Sequence, residues 1–209
     1  MNKHILVTGS RGFIGRRIEG GKPFKGDVSD YTSLYMQTEN VTGIVHLAAK
    51  GNEIDCQLYL KKTIEANLLG VLNVLEIALE RKLWVLFIST YQIRKETFYG
   101  LSKLMGEELC RLYEKKGVNV AILRLPIVYG ENDKQYKVVT KFINQLKNGI
   151  EPTIMDLNMF QFLYVDDAAK IIEREANVLD CKFGNMHSLC DLRDGIKKCL
   201  QTEGTKDDR

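Results

Sequence analysis

Apolar residues in this chain fall into short unbroken runs separated by stretches of helical spacing. Residues 4–9 (His-Ile-Leu-Val-Thr-Gly) read as a buried strand running into a turn. A short helix is expected from Phe13, stopped by Gly20-Gly21 and Pro23. Residues 23–28 fit a second strand and 42–49 a third. Residues 63–83 predict one long amphipathic helix, with Ile64, Leu68, Val71, Leu72, Leu75 and Leu79 on one face. Residues 83–89 are continuously apolar, as in a parallel strand covered on both sides. Residues 98–116 predict a helix and 118–125 the strand after it. Past Tyr129 the pattern weakens, with a helix over 138–148, a short strand over 160–165 and a helix over 166–176.

Strands alternating with helices predict an α/β fold, a doubly wound parallel sheet with right-handed crossovers. Residues 1–130 are expected to form a dinucleotide-binding domain. Residues 131–209 form a small substrate-side lobe interleaved with the last sheet elements. Ligands bind such sheets at the carboxyl ends of the strands. Gly9, Ala49, Ser89 and Pro126 each follow an apolar strand and are expected along that edge.

Composition narrows the class. The 209 residues are 44% hydrophobic and 27% charged, with a formal net charge of +3, which suits a globular domain with a sizeable core. No basic run or aromatic-basic stripe suggests nucleic acid. No apolar run reaches the length of a membrane span, and the opening strand leaves no room for a leader. Cys56, Cys110, Cys181, Cys190 and Cys199 are scattered, odd in number and without a C-x-x-C pair. They read as reduced thiols of a cytoplasmic protein, with neither a disulfide framework nor a metal site.

Two motifs carry chemistry. The turn Gly9-Ser-Arg-Gly12-Phe-Ile-Gly15 sits between a strand and a helix. Without side chains its backbone can approach a pyrophosphate, and a helix N-terminus adds free N–H groups and the positive end of a dipole. Tyr99 and Lys103 lie four residues apart, on one helical face. A cation beside a phenol lowers its pKa, making Tyr99 a proton donor and acceptor near neutral pH. The pair predicts hydride transfer with a dinucleotide and proton transfer by tyrosine.

The order of the motifs resembles the extended short-chain dehydrogenase/reductase family, which contains nucleotide-sugar epimerases, dehydratases and ketoreductases on a Rossmann fold. Val7-Thr-Gly-Ser-Arg-Gly-Phe-Ile-Gly15 resembles its cofactor turn and Gly26-Asp-Val-Ser-Asp30 the strand end that meets adenine. His46-Leu-Ala-Ala49 resembles the strand end under the cofactor, and Asn67-Leu-Leu-Gly-Val-Leu-Asn73 the central helix. Ile88-Ser-Thr90 resembles the catalytic hydroxyl strand. Leu123-Arg-Leu-Pro-Ile-Val-Tyr-Gly130 and Phe162-Leu-Tyr-Val-Asp-Asp-Ala-Ala169 follow in the family's order.

By this resemblance Thr90, Tyr99 and Lys103 are the catalytic residues. Tyr99 is the acid/base, Lys103 tunes it and binds the nicotinamide ribose, and Thr90 orients the substrate oxygen, with Ser89 the alternative hydroxyl. The cofactor would be held by Gly9, Arg11, Gly12, Phe13, Ile14 and Gly15, by Asp27 and Val28, by Leu47, Ala48 and Ala49, and by Tyr99, Lys103 and Pro126. His46 is expected to be structural, Asn67 structural or part of the cofactor loop, and Asp166 and Asp167 helix caps. A homodimer through the helices at 63–83 and 98–116 is implied, with a nucleotide sugar as substrate.

The chain also departs from the family. The strand whose end reads the adenosine ribose is missing between Gly15 and Gly26, or merged with residues 23–28. Asp27 then serves the ribose side as well, which favours NAD. Arg11, Arg16, Arg17 and Lys25 favour NADP, and the reading is NADP or NAD with the lean to NADP. Only eight residues separate Thr90 from Tyr99, so Tyr91, Gln92 and Arg94 are candidates to shape the sugar pocket. Ile127 and Gln161 replace an asparagine and an arginine that meet the nucleotide phosphates, and Lys134, Lys137 and Lys141 are candidate replacements for that charge. Tyr91, with no Asp-Glu pair after Thr90, argues against a dehydratase. An epimerase or a 4-ketoreductase remains. The rival class is a dinucleotide-binding module without catalysis.

Overall fold

The sheet is built from runs whose alternate side chains are claimed by two different helical layers. The computed structural model describes residues 1–94, 96–133, 137–152 and 161–183. Its strands are β1 (Ile5–Thr8), β2 (Lys22–Pro23), β3 (Gly43–His46), β4 (Trp84–Thr90) and β5 (Val120–Leu125). They form one parallel sheet in the order β2-β1-β3-β4-β5. Between them lie α1 (Tyr31–Gln37), α2 (Glu53–Leu58), α3 (Leu60–Ile64), a π turn (Glu65–Leu69), α4 (Gly70–Arg81) and α5 (Phe98–Lys115). A second, two-stranded parallel sheet joins β6 (Ile127–Tyr129) to β7 (Phe162–Tyr164), with α6 (Val138–Lys147) between them and α7 (Val165–Phe183) after.

Side chains of a strand alternate between its faces. Leu6, Ile44, Val85 and Phe87 pack under α1, α4 and α5 with Leu34, Val74, Leu75 and Cys110. Ile5, Val7, Val45, Trp84, Leu86 and Ile88 face the other way, onto Ile172, Ala176 and Leu179 of α7. This double cover explains the unbroken apolar run of β4. At the base of the sheet Gly43 pairs with Trp84, and a Cβ there would lie 2.0 Å from the indole. Three helices start at side-chain caps. Asp30 caps α1 by accepting from Ser33 N–H, Asn52 caps α2 by accepting from Asp55 N–H, and Thr97 caps α5 by accepting from Gly100 N–H.

Four expectations are corrected. The helix from Phe13 is a single 3-10 turn, Gly15–Arg17, because Gly20 and Gly21 follow at φ +76° and +75°. The second strand is two residues long; Phe24 N–H adds one rung to Val7 C=O, and Gly26 at φ +151° turns the chain away. β2 pairs directly with β1, so no ribose-reading strand stands between the glycine turn and Asp27. The long helix over 63–83 is broken by the π turn, and α1 and α2 were not anticipated. Asp166 and Asp167 lie inside the first turn of α7 and do not cap it.

No described helix is long and apolar enough to cross a membrane. Cys56 and Cys110 are free and buried; the side chains of Cys181, Cys190 and Cys199 lie outside the described set.

His46 closes β3 at 1% exposure, hydrogen-bonded through Nδ1 to Thr8 Oγ1 (2.8 Å) and stacked on Phe87. Burial, with the Lys103 charge nearby, pushes its imidazole down to about 3. The folded protein therefore holds it neutral, while the unfolded chain takes up a proton below about pH 6.5. Stability is full above that value and falls as the pH drops toward 3. Between pH 7 and 5 this one group is expected to remove about 2 kcal/mol. Urea denaturation of the wild type and His46→Asn at both pH values checks it. The variant should lose that part of the pH dependence, and an identical slope in both proteins would refute the assignment.

Candidate active site

The carboxyl edge of the sheet carries the glycine turn, the end of β3, the end of β4 and Pro126, and α5 leans over them. At Gly9 (φ +67°) a Cβ would lie 2.7 Å from Ala48 N, and at Gly15 one would lie 2.2 Å from Gly9 O. Only glycine fits these two positions, because the turn presses against β3 on one side and against itself on the other. The result is a bare backbone saddle.

Two cavities meet at that saddle and share Gly9, Gly12 and Ala49. The first, about 610 Å³, is lined by Phe13, Ile14, Gly15, Leu47, Thr90, Tyr99, Lys103 and Pro126 among others. The second, about 530 Å³, is lined by Arg11, Asp27, Val28, Ala48 and Lys50 among others. Every residue assigned from sequence to catalysis or to the cofactor thus lines one of two adjoining cavities. The bare saddle with a cavity on each side fits a dinucleotide laid across it, one half in each. The expected helix dipole is not part of this cradle, since one 3-10 turn is too short to provide it.

Thr90 ends β4, and its hydroxyl hydrogen-bonds the phenol of Tyr99. Ser89 faces elsewhere: its hydroxyl donates to Glu107 Oε1 at 2.6 Å. That bond separates the two hydroxyls left open by the sequence, since only Thr90 meets the phenol. Lys103, 4% exposed, holds its ammonium over the Phe87 ring at 4.2 Å.

The expected lowering of the Tyr99 pKa is not found. Burial, together with Cys56 nearby, pushes the phenol up to about 12, although the Thr90 hydrogen bond works the other way. Burial likewise pushes Lys103 down to about 8, against the raising effect of Cys110 and Glu107. Desolvation outweighs the spacing argument, because it acts against the charged form of each group separately.

Sequence reasoning missed two supporting groups. Glu107 is fully buried and accepts Ser89 Oγ, Arg124 Nε (2.8 Å) and Nη2 (2.6 Å), and Arg111 Nη2 (3.0 Å). Burial alone would raise its carboxyl; Arg124 and Ser89 outweigh it and hold the group below the usual range. Its position one helical turn after Lys103, with Arg111 a turn further on, was the available signal. Lys50, in the second cavity, helps hold Asp27 low, after the larger effect of Ser29 N–H and Oγ.

Asn67, expected to be structural or part of the cofactor loop, holds the backbone of Lys50. From the π turn its side chain accepts from Lys50 N–H (2.7 Å) and donates to Lys50 C=O (3.2 Å) and Ser102 Oγ (2.9 Å). Ser102 Oγ donates in turn to Tyr99 C=O at 2.8 Å. The other candidates divide. Ile127 and Lys137 line the first cavity, and Lys141 does not. Lys134 and the side chains of Gln92 and Arg94 lie outside the described residues, and Tyr91 is exposed. Arg16 and Arg17 point to the loop after β6, and Lys25 lines neither cavity.

Comparison with known proteins gives the family and the fold. The profile of the NAD dependent epimerase/dehydratase family matches residues 17–177. UDP-glucose 4-epimerase of Rickettsia canadensis is 31% identical over 145 residues, which are 68% of this chain and 42% of that protein. The chain thus spans about two fifths of the length of the curated relatives it matches. Among solved structures, Pal from Bacillus thuringiensis superposes with a TM-score of 0.71 at 24% identity, covering 83% of this chain and 72% of that one. The Thermus thermophilus UDP-glucose 4-epimerase complex with NAD gives 0.68 at 23%, covering 90% and 75%. DesIV, a dTDP-glucose 4,6-dehydratase of Streptomyces venezuelae, gives 0.72 at 21%, covering 86% and 72%. These structures share the fold. The chain belongs to the NAD dependent epimerase/dehydratase family, among the extended short-chain dehydrogenases/reductases.

Proposed function

We propose that the protein is an NAD(P)-dependent sugar-nucleotide epimerase or 4-ketoreductase. The observation that carries the proposal is the convergence of Thr90, Tyr99 and Lys103 on the cavity that the glycine saddle floors. Nicotinamide, when bound, supplies the hydride acceptor or donor. The rest falls to the chain. Hydride added at a carbonyl carbon turns its oxygen into an alkoxide, and the hydroxyls of Thr90 and Tyr99 are the two donors proposed to meet it. Tyr99 Oη gives the proton in reduction and takes it in oxidation, and the Lys103 ammonium stabilises the phenolate that results. A binding module without catalysis has no use for this pair, and the likeness of the family favours the enzyme.

The substrate-side wall is proposed to come from the lobe at 131–209, of which 134–136, 153–160 and 184–209 lie outside the described residues, with Lys137 holding the negative charge of a nucleotide diphosphate. It lies at the rim of the first cavity, 5.0 Å from the Phe13 ring and paired with Asp133 at 2.9 Å.

Turnover of UDP-glucose with catalytic NAD would indicate an epimerase; stoichiometric oxidation of NADH or NADPH by a 4-keto sugar nucleotide would indicate a reductase. In either assay Tyr99→Phe is expected to lower kcat by about 10²-fold or more. Dinucleotide affinity should stay near the wild-type value. A Tyr99→Phe protein with full activity would remove the mechanism.

For the cofactor we propose that Arg11 and Lys50 receive a 2′-phosphate, while Asp27, brought beside the glycine turn by the short β2, opposes it. Titration with NAD, NADH, NADP and NADPH tests this. Arg11→Ala should shift the preference toward NAD by about tenfold, the loss of one charge-assisted contact. An unchanged preference would sink the assignment.

The exposed apolar side chains Leu60, Ile64 and Leu69, with Phe98, Leu101 and Met105 on α5, are proposed as a face for a second copy of the chain. Light scattering should give a dimer that Leu101→Lys with Met105→Lys converts to a monomer; a monomeric wild type refutes it.

A further inference from the structure

Arg17 stands two residues beyond the last glycine of the turn, and its guanidinium serves three separate segments. Nε pairs with the Asp166 carboxylate in the first turn of α7 at 2.6 Å. Nη2 donates to Glu131 C=O, in the loop after β6, at 2.8 Å. Nη1 donates back to Phe13 C=O, inside the glycine turn, at 3.3 Å. The side chain is only 16% exposed. Arg16 adds a bond from the solvent side, to Asn132 C=O at 3.0 Å.

The bond to Phe13 matters because of peptide geometry. In a trans peptide unit the C=O and the following N–H point in opposite directions. Drawing Phe13 C=O toward Arg17 therefore turns Ile14 N–H away from it. Phe13 and Ile14 both line the first cavity, and Ile14 N–H meets no backbone acceptor among the described residues. An amide so placed is a donor for an anionic oxygen. Ordinarily the turns of a following helix would fix such a peptide. Here one 3-10 turn follows, and the chain then leaves in an extended conformation at Ile18.

We propose that Arg17 is the positioning residue of the glycine turn, standing in for the absent helix and coupling dinucleotide binding to the seating of α7. The proposal rests on the glycine turn being the dinucleotide site. Arg17 acts through the shape of its fork: Asp166 already balances its charge, and a lysine cannot reach three acceptors in a plane.

The test is calorimetric titration of the full chain with NAD and NADPH, for wild type, Arg17→Ala, Arg17→Lys, Asp166→Asn and the Arg17→Ala/Asp166→Asn double variant. Each is measured below the onset of its own thermal transition. Arg17→Ala should weaken binding about tenfold, the equivalent of one well-placed hydrogen bond. Arg17→Lys should fail to rescue it. Asp166→Asn should weaken binding less, and the double variant should bind as Arg17→Ala does, because the two act as a unit. An unchanged Kd in a folded variant, or full rescue by lysine, would overturn the proposal and leave the dinucleotide site standing. A wild type that binds neither dinucleotide would overturn that site as well. Should Arg17→Ala not fold, Arg17→Lys and Asp166→Asn decide the matter by the same readout.

Discussion

One buried carboxylate ties together the two elements that carry the candidate catalytic residues, β4 and α5, and anchors both to β5. Glu107 sits on α5 one turn beyond Lys103, binds the hydroxyl of Ser89 beside Thr90 on β4, and takes the Arg124 fork from β5. A lone buried carboxylate would be costly, and removing its partners typically costs about 3–5 kcal/mol because the remaining charge is stranded. Here each oxygen is satisfied, so the cluster fixes the roll of α5 against the sheet. The placing of Tyr99 against Thr90 then rests on a carboxylate that solvent does not reach. Phe87 completes the support from below, taking the Lys103 ammonium on one ring face and lying parallel to His46.

The other half of the site is built under the opposite condition, with less structure than the fold ordinarily supplies. Where a full helix and a further strand would follow the glycine turn, the chain has one 3-10 turn and two residues of β2. Two consequences follow. The outer cover of the sheet passes to α7, whose Ile172, Ala176 and Leu179 fill the face over Val7 and Val45. The segment after β2 also comes to rest beside the turn, so Asp27 shares a cavity with Arg11 and Lys50. A negative and two positive groups then face the same space. This is why composition near the turn points to NAD and NADP at once.

Where local pattern decides the outcome, the sequence was readable. β4 is apolar because both faces are covered, and the glycines mark where backbone meets backbone. Where distant contacts decide it, the sequence was not. Residues 63–83 have unbroken helical spacing, yet the helix is reset at Asn67, whose amide is claimed by the backbone of Lys50 across the fold. Asp166 looked like a cap and is instead the counter-ion of Arg17. Thr90 is favoured over Ser89 by resemblance alone; Glu107, eighteen residues after Ser89, takes the Ser89 hydroxyl. The Tyr99–Lys103 spacing was right and its electrostatic consequence was not, because burial is a tertiary quantity.

That last discrepancy bears on how the proposed chemistry runs. Desolvation moves Tyr99 and Lys103 toward their neutral forms together, the phenol to about 12 and the ammonium to about 8. A neutral phenol can give a proton but not take one. For Tyr99 to act as a base its phenolate must form, and Lys103, still mostly ammonium at neutral pH, is the group that can stabilise it. Against burial, its charge is favoured by Cys110 and then by the buried Glu107, and its ammonium lies over the Phe87 face. The carboxylate that sets the geometry of the site therefore also biases its protonation, and the two functions cannot be separated by moving one without the other.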